Sequence, residues 1–91
     1  MEEPFELRLY RPARRALEER LPLAVAVAVW GFCNSALRNE PHRVGKPLGR
    51  ELVGYYSARR GAYRILYRID DENRIVHVVR IEHRSSAYRR H

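Results

Sequence analysis

The sequence predicts an α+β domain in which two helices pack on one face of an antiparallel sheet. Three successive C-terminal stretches are predicted strands and are separated by short turns. A helical pattern precedes them, and this order of elements is typical of the α+β class. A chain of 91 residues buries a modest core, so we assign residues 1–91 to one domain.

The N-terminal part predicts one strand and then a two-helix hairpin. Residues 5–10 alternate apolar and polar positions, as a half-buried strand does. Pro12 suits the first turn of a helix, and good helix formers follow it. Pro22 opens a second helix, which we place over residues 23–39.

The second helix carries an apolar stripe. Its predicted members share one helical face and are Leu21, Val25, Val29, Phe32 and Ala36. Trp30 and Leu37 widen this stripe. Both either pack in the core or remain open to a partner.

The C-terminal part predicts a basic loop and a three-stranded meander. The loop covers residues 42–50, and the strands cover 51–58, 62–69 and 75–82. Turn-forming residues separate the strands, so consecutive strands pair antiparallel. We expect the acidic residues of the last turn, 70–73, to be solvated.

The positive charge lies in the same half as the meander. The chain has a formal net charge of +7, and residues 43–91 hold twelve basic and five acidic residues. Residues 1–42 hold six of each. Net charge governs association, so a polyanion or an acidic protein is the expected partner.

Several other functions are disfavoured. Cys33 is the only cysteine, which excludes a disulfide framework and a cysteine-based zinc site. The four histidines show no ligand spacing, so we predict neither a metal nor a cofactor. The longest apolar run is too short to span a bilayer and the N-terminus is acidic, so we expect a cytoplasmic protein without a membrane partner.

Two groups of residues point to RNA chemistry. Arg64 lies in mid-strand between aromatic residues, where it would be either a rigid phosphate clamp or an edge arginine paired with Glu51 or Glu82. His83, Arg84 and Tyr88 follow the last strand. Metal-free RNA cleavage needs proton transfer, charge stabilisation and substrate stacking, which these side chains supply.

These motifs resemble the RelE-type toxins of bacterial toxin–antitoxin modules. The resemblance covers nearly the full length and is carried by residues 43–48, 57–70 and 83–89. The Gly-x-Tyr-Arg-x-x-Tyr pattern from Gly61 and the His-Arg-x-x-x-Tyr pattern from His83 are specific when they occur together in this order.

The resemblance implies a microbial-RNase-like fold and a ribosome-dependent endonuclease that cuts mRNA in the ribosomal A site. Arg64 would bind the scissile phosphate, Arg84 would stabilise charge or donate a proton, and Tyr88 would stack on a base. The basic residues expected to bind RNA are Lys46, Arg59, Arg60, Arg68 and Arg89. A RelB-like antitoxin would neutralise the toxin, and the expected contact residues are Val25, Val29, Trp30 and Leu37.

The chain departs from the family at the residues that could act as the catalytic base. Some members place lysines on the strand before the arginine-rich turn, where this sequence has Tyr55-Tyr56-Ser57. His83 is the first candidate base and Lys46 the second, and a mechanism that uses arginines alone is the third. Two other functions remain open: a ParE-like toxin that inhibits DNA gyrase, and a catalytically silent RNA-binding module.

Overall fold

A five-stranded sheet carries the helices on one of its faces. The computed structural model describes residues 3–87. The strands are β1 (Glu6–Leu9), β2 (Lys46–Pro47), β3 (Tyr55–Arg60), β4 (Tyr63–Asp70) and β5 (Ile75–His83). The helices are α1 (Arg11–Arg15, continued by a π-helical turn over Ala16–Arg20), α2 (Leu23–Phe32, continued by a π-helical turn over Cys33–Leu37), α3 (Pro41–Val44) and α4 (Arg84–Ala87).

The strand order is β1-β5-β4-β3-β2, and this arrangement confirms the predicted α+β class. The pairs β2–β3, β3–β4 and β4–β5 are antiparallel, so the predicted meander is correct. The N-terminal strand β1 lies parallel to the last strand, with Glu6 opposite Ile75. The sheet is therefore mixed, and its first and last strands in the sequence are neighbours.

Two prolines begin the helices, as predicted. Tyr10 is the extended residue before α1, and Pro12 lies in the first helical turn, where its missing N–H costs nothing. Pro22 is the residue immediately before α2. The second helix ends at Asn39, as the sequence indicated.

The meander begins later than the sequence predicted. Arg50–Leu52 forms a 3₁₀ turn, and β3 starts only at Tyr55. Arg50 and Gly54 have φ angles of 58° and 96°, and positive φ interrupts an extended strand. The loop before this turn also contains α3 and the short strand β2, which the sequence did not reveal.

The core lies between the helices and one face of the sheet, and the predicted apolar stripe belongs to it. Val29 and Phe32 are buried, while Leu21, Val25 and Ala36 are partly buried against the core. Leu37 is fully buried, whereas Trp30 is 46% exposed. The other buried members are Phe5, Ala13, Ala16, Cys33, Ala58, Ile65, Tyr67, Val76, Val78 and Ile81.

None of the helices within residues 3–87 is long and apolar enough to cross a membrane.

Candidate functional site

Strand register divides the arginines between the two faces of the sheet. Opposed residues in neighbouring strands project to the same face, and successive residues alternate. Arg59, Arg64 and Glu82 form one row across β3, β4 and β5. This row lies on the face opposite the helices, which we call the outer face. The next row, Arg60, Tyr63 and His83, lies on the helix side.

The outer face holds a basic cavity. Its volume is about 480 Å³, and Lys46, Arg59 and Arg64 contribute three cationic side chains to it. The remaining lining residues are Val44, Gly45, Leu48 and Ser57. An arginine fork and a lysine ammonium converging on one concavity favour an anionic ligand such as phosphate.

Lys46 reaches this cavity from the edge strand. It lies opposite Ser57 in the β2–β3 pair. Ser57 is one of the positions where some RelE-type toxins have lysine, so this chain presents its lysine from the neighbouring strand. The cavity thus contains Lys46, which was only the second candidate for the base.

The loop that carries Lys46 fits closely against a buried tyrosine. Tyr67 Oη donates a hydrogen bond of 2.6 Å to the Pro41 carbonyl oxygen. A Cβ atom on Gly45 would come within 2.3 Å of Tyr67 Oη and 2.9 Å of the Ser57 carbonyl oxygen. Glycine is therefore required at position 45, because Tyr67 and the β3 backbone approach it too closely for a side chain. Burial raises the pKa of Tyr67 well above its usual range.

Arg60 does not face the cavity. Its guanidinium carbon lies 3.8 Å from the centre of the Phe32 ring on the helix side, and its Nη1 donates to the Arg59 carbonyl oxygen at 2.9 Å. Arg60 therefore does not line the cavity with Arg59, and its predicted contact with RNA stays a prediction. Arg60 covers the end of the core instead.

His83 is also separated from Arg64 by the sheet. The register shifts by one residue between Leu66 and Tyr67, which leaves Val79 without a partner on β4. This bulge reverses the faces of the remaining β5 residues, so His83 projects to the helix side, where its ring meets Tyr63 edge-to-face at 5.2 Å. The structure does not bring together the predicted catalytic pair Arg64 and His83.

The ring nitrogens of His83 argue further against its role as the base. The Ser85 backbone N–H donates to Nδ1 at 3.1 Å, and Ser85 Oγ lies 2.8 Å from the same nitrogen. Nδ1 is therefore an acceptor, and the neutral ring carries its proton on Nε2. In this tautomer Nε2 can donate a proton but cannot accept one.

The other predicted residues occupy different places. Arg84 is exposed and begins α4, and its backbone N–H donates to the Ala62 carbonyl oxygen at 2.7 Å. Arg68 lies on the outer face, and its Nη2 donates to Tyr10 Oη at 2.7 Å. Tyr88 and Arg89 lie outside the described residues.

A second cavity lies between the two helices and β1. Its volume is about 350 Å³, and its lining residues are Leu9, Arg14, Leu17, Glu18, Ala26, Val27 and Trp30. Val27 in this lining is 64% exposed, and Leu23, one turn earlier in the same helix, is 80% exposed. Val29 and Leu37, predicted to contact an antitoxin, are buried in the core and add nothing to the surface that this structure exposes. Trp30 and its exposed neighbours form the apolar surface that remains.

Comparisons with known proteins define the class first. The family described as the ParE toxin of the type II toxin–antitoxin system parDE has a sequence model that matches residues 34–88. The class is therefore a toxin of a type II toxin–antitoxin system.

Individual relatives place the chain more closely. It is 52% identical over 87 residues to toxin RelG of Mycobacterium tuberculosis, covering 96% of this chain and 99% of that protein. It is 44% identical over 86 residues to toxin RelE of the same organism, covering 94% and 88%. The solved toxin–antitoxin complex RelBE2 of Mycobacterium tuberculosis contains a chain that is 51% identical, with a TM-score of 0.85, covering 90% of this chain and 100% of that one. The chain belongs to the RelE/ParE family, as a RelE-type toxin.

Proposed function

We propose that this toxin is a ribosome-dependent endonuclease that cuts mRNA in the ribosomal A site. The observation that carries the proposal is the cavity on the outer face, where Lys46, Arg59 and Arg64 converge. The family's general character as toxins of RelE type supports it.

The reaction needs no metal in this proposal. The 2′-hydroxyl loses its proton and attacks the adjacent phosphorus, the bond from phosphorus to the 5′-oxygen breaks, and that oxygen takes up a proton. The products are a 2′,3′-cyclic phosphate and a 5′-hydroxyl. Arg64 holds the scissile phosphate and stabilises its developing charge, while Arg59 contacts the neighbouring backbone.

Lys46 is our candidate for the proton transfer at the 2′-hydroxyl, where its neutral amine form accepts the proton. Arginine stays protonated in proteins, so among the cavity's charged side chains only lysine can exchange a proton. His83 lies on the other side of the sheet, and its Nδ1 already accepts from the Ser85 backbone N–H, so it is not our candidate for this step. Arg84 and Tyr88 keep their proposed roles as charge stabiliser and stacking residue.

A test uses translating ribosomes and defined mRNA. The wild-type protein is added to a reconstituted translation reaction, and the new mRNA ends are mapped with and without ribosomes. We expect cuts positioned within A-site codons and only when ribosomes are present. Intact mRNA in an inhibited reaction would contradict the proposal.

One observation favours a second candidate, inhibition of DNA gyrase. The family model that matches residues 34–88 is that of the ParE toxins. A supercoiling assay with purified gyrase distinguishes the two functions, because a ParE-like toxin blocks supercoiling while leaving mRNA intact. Binding of RNA without cleavage or gyrase inhibition would identify the silent RNA-binding module.

We also propose that a RelB-like antitoxin covers the apolar surface around Trp30. The relative of 51% identity was solved in a toxin–antitoxin complex, and here Trp30, Val27 and Leu23 expose apolar area beside a cavity of about 350 Å³. Trp30→Ala should weaken antitoxin binding at least tenfold, in the range of hot-spot aromatics. The control Arg20→Ala removes an exposed side chain from the other helix. Equal affinity of wild type and Trp30→Ala would contradict this surface.

A further inference from the structure

We propose that His42 and Asp71 are positioning residues that hold one wall of the basic cavity, and Lys46 with it, against β3. Only the catalytic effect of this contact depends on the proposed function. The contact between α3, β3 and the β4–β5 turn stands on the structure itself.

One imidazole joins three elements. His42 Nε2 lies 2.8 Å and 2.9 Å from the two carboxylate oxygens of Asp71, which follows β4. His42 Nδ1 lies 3.3 Å from Tyr56 Oη in β3, and the two rings meet edge-to-face at 5.7 Å. We call this group of His42, Asp71 and Tyr56 the clasp.

The clasp does not depend on a single protonation state of His42. The Asp71 carboxylate only accepts, so Nε2 carries a proton. Nδ1 accepts from the Tyr56 hydroxyl when the ring is neutral and donates to it when the ring is charged. The neighbouring acids have other partners: Glu40 accepts from Arg43 Nη1 at 3.2 Å, and Asp70 accepts from Asn73. Asp71 is therefore the carboxylate that meets the imidazole.

A second contact secures the same short helix from beneath. The Tyr56 ring stacks on Tyr67 with centroids 5.6 Å apart and an interplanar angle of 20°. Tyr67 Oη in turn bonds the Pro41 carbonyl oxygen. Both contacts fix α3 to the sheet, one through Pro41 and the other through His42.

The cavity wall follows α3 directly in the chain. Val44, Gly45, Lys46 and Leu48 supply four of the seven lining residues. The short strand β2, two residues long, pairs this segment with β3, and the Leu48 backbone N–H adds one hydrogen bond to the Tyr55 carbonyl oxygen. Because such a short strand gives few hydrogen bonds, contacts of α3 determine how much of the time Lys46 stays at the cavity.

The size of the effect is bounded by exposure. The side chains of His42 and Asp71 are 51% and 62% exposed, and ion pairs in such positions contribute little. Loss of the clasp should therefore lower the closed-to-open equilibrium constant of the wall by about two- to fivefold. That factor is also the upper limit of the expected loss of rate.

The catalytic test measures single-turnover cleavage of ribosome-bound mRNA at saturating toxin. His42→Ala and Asp71→Ala should each slow cleavage, by at most about fivefold, and the double variant should be no slower than either. Asp71→Asn keeps an acceptor oxygen and should recover part of the rate. The matched control is Glu40→Gln, which breaks an ion pair within the same segment that does not reach the sheet, and it should leave the rate unchanged.

A background variant separates positioning from general stability. In Lys46→Met, the clasp substitutions should cause no further loss, because the side chain that they position is gone. A merely structural contact would lower the rate in both backgrounds. The same loss in the Lys46→Met background would overturn the positioning role.

Hydrogen exchange tests the clasp without any activity. The Leu48 backbone N–H donates to the Tyr55 carbonyl oxygen at 2.8 Å, and its exchange should be about two- to fivefold faster in His42→Ala, while β4 and β5 keep their protection. Unchanged exchange at Leu48 would overturn the clasp. Faster exchange in His42→Ala, together with a wild-type protein that cleaves no mRNA, would reject the proposed function and retain the clasp.

Discussion

Gly45→Ala is the substitution that most directly challenges the construction of the cavity wall. The added Cβ would lie 2.3 Å from Tyr67 Oη, 2.9 Å from the Ser57 carbonyl oxygen and 3.0 Å from Tyr67 Cζ. The backbone at Gly45 is extended, with φ of −131°, so alanine meets no conformational strain there. The whole effect is therefore steric.

The magnitude follows from what must move. Overpacking a closely fitted site costs about 1–3 kcal/mol. Displacing the Tyr67 hydroxyl also leaves the Pro41 carbonyl without its hydrogen bond, at about 1–3 kcal/mol. Partial relaxation makes these terms overlap, so we expect a total loss of about 2–4 kcal/mol. For a domain of this size that is a fall in Tm of roughly 10–25 °C.

The assay is urea and thermal unfolding of Gly45→Ala beside a matched control. Gly49→Ala adds the same methyl group to the same loop, where an added Cβ meets nothing within 4 Å. We expect Gly49→Ala to be neutral or stabilised by a few tenths of a kcal/mol.

A double-mutant cycle identifies the clashing atom. Tyr67→Phe removes the hydroxyl and should by itself destabilise by about 1–2 kcal/mol. The double variant Gly45→Ala/Tyr67→Phe should lose less stability than the sum of the two single losses, because the closest contact no longer exists. Additive losses, or a Gly45→Ala variant as stable as the control, would refute the steric reasoning.

Three further predictions concern the arginines and the buried thiol. Arg60→Ala should cost about 0.5–1 kcal/mol of stability through the lost contact with Phe32 and leave RNA affinity nearly unchanged. Arg59→Ala should instead weaken RNA binding with little effect on Tm. Binding curves and melting curves of both variants test this pair of expectations. The affinity for ribosome-bound mRNA should fall steeply as the salt concentration rises. Arg59→Ala should reduce the slope of log affinity against log salt concentration by about 0.7, the value for one phosphate contact on a single strand. An affinity independent of salt would argue against phosphate contacts. Burial raises the pKa of Cys33 to about 12, against the opposing effect of the Arg60 charge, so the folded protein should resist thiol reagents. Its stability should fall as pH rises from about 9 towards 12, because only the unfolded thiol ionises in that range. Rapid labelling of the native protein, or a Cys33→Ala variant with an equal alkaline loss of stability, would contradict this.

Local pattern predicted the elements whose residues alternate over many positions. Strand β4 was recognisable because its eight residues follow one periodicity, and β5 because an apolar stretch follows a turn, although the bulge at Val79 breaks its alternation. Strand β2 was missed because two residues, Lys46 and Pro47, show no period. The parallel pairing of β1 with β5 joins positions about 70 residues apart, which no local pattern reports.

The site was predicted in composition and only partly in arrangement. The sequence indicated Lys46, Arg59 and Arg64, which line one cavity. The turn is shorter than predicted and pairs Arg60 with Tyr63, which places Arg60 on the helix side. The sequence grouped His83 with Arg64, but the bulge at Val79 places them on opposite faces, since one extra residue reverses every later side chain on the strand. No sequence pattern indicates the contacts of Gly45 and His42, which are seen only in the folded structure.

The central claim is that Arg64 acts on the scissile phosphate from the outer face of the sheet. Its most direct test is the single-turnover cleavage rate of Arg64→Ala on ribosome-bound mRNA, with the melting temperature measured on the same preparation. We predict a rate lower by roughly two to three powers of ten, as when one preorganised charge-stabilising donor is removed, a change in stability below about 1 kcal/mol, and partial recovery in Arg64→Lys. Glu82 is the cross-strand neighbour of Arg64, so a purely structural arginine would instead lower the melting temperature and reduce activity only in proportion to folded protein. A correctly folded Arg64→Ala protein with the wild-type rate would contradict the account.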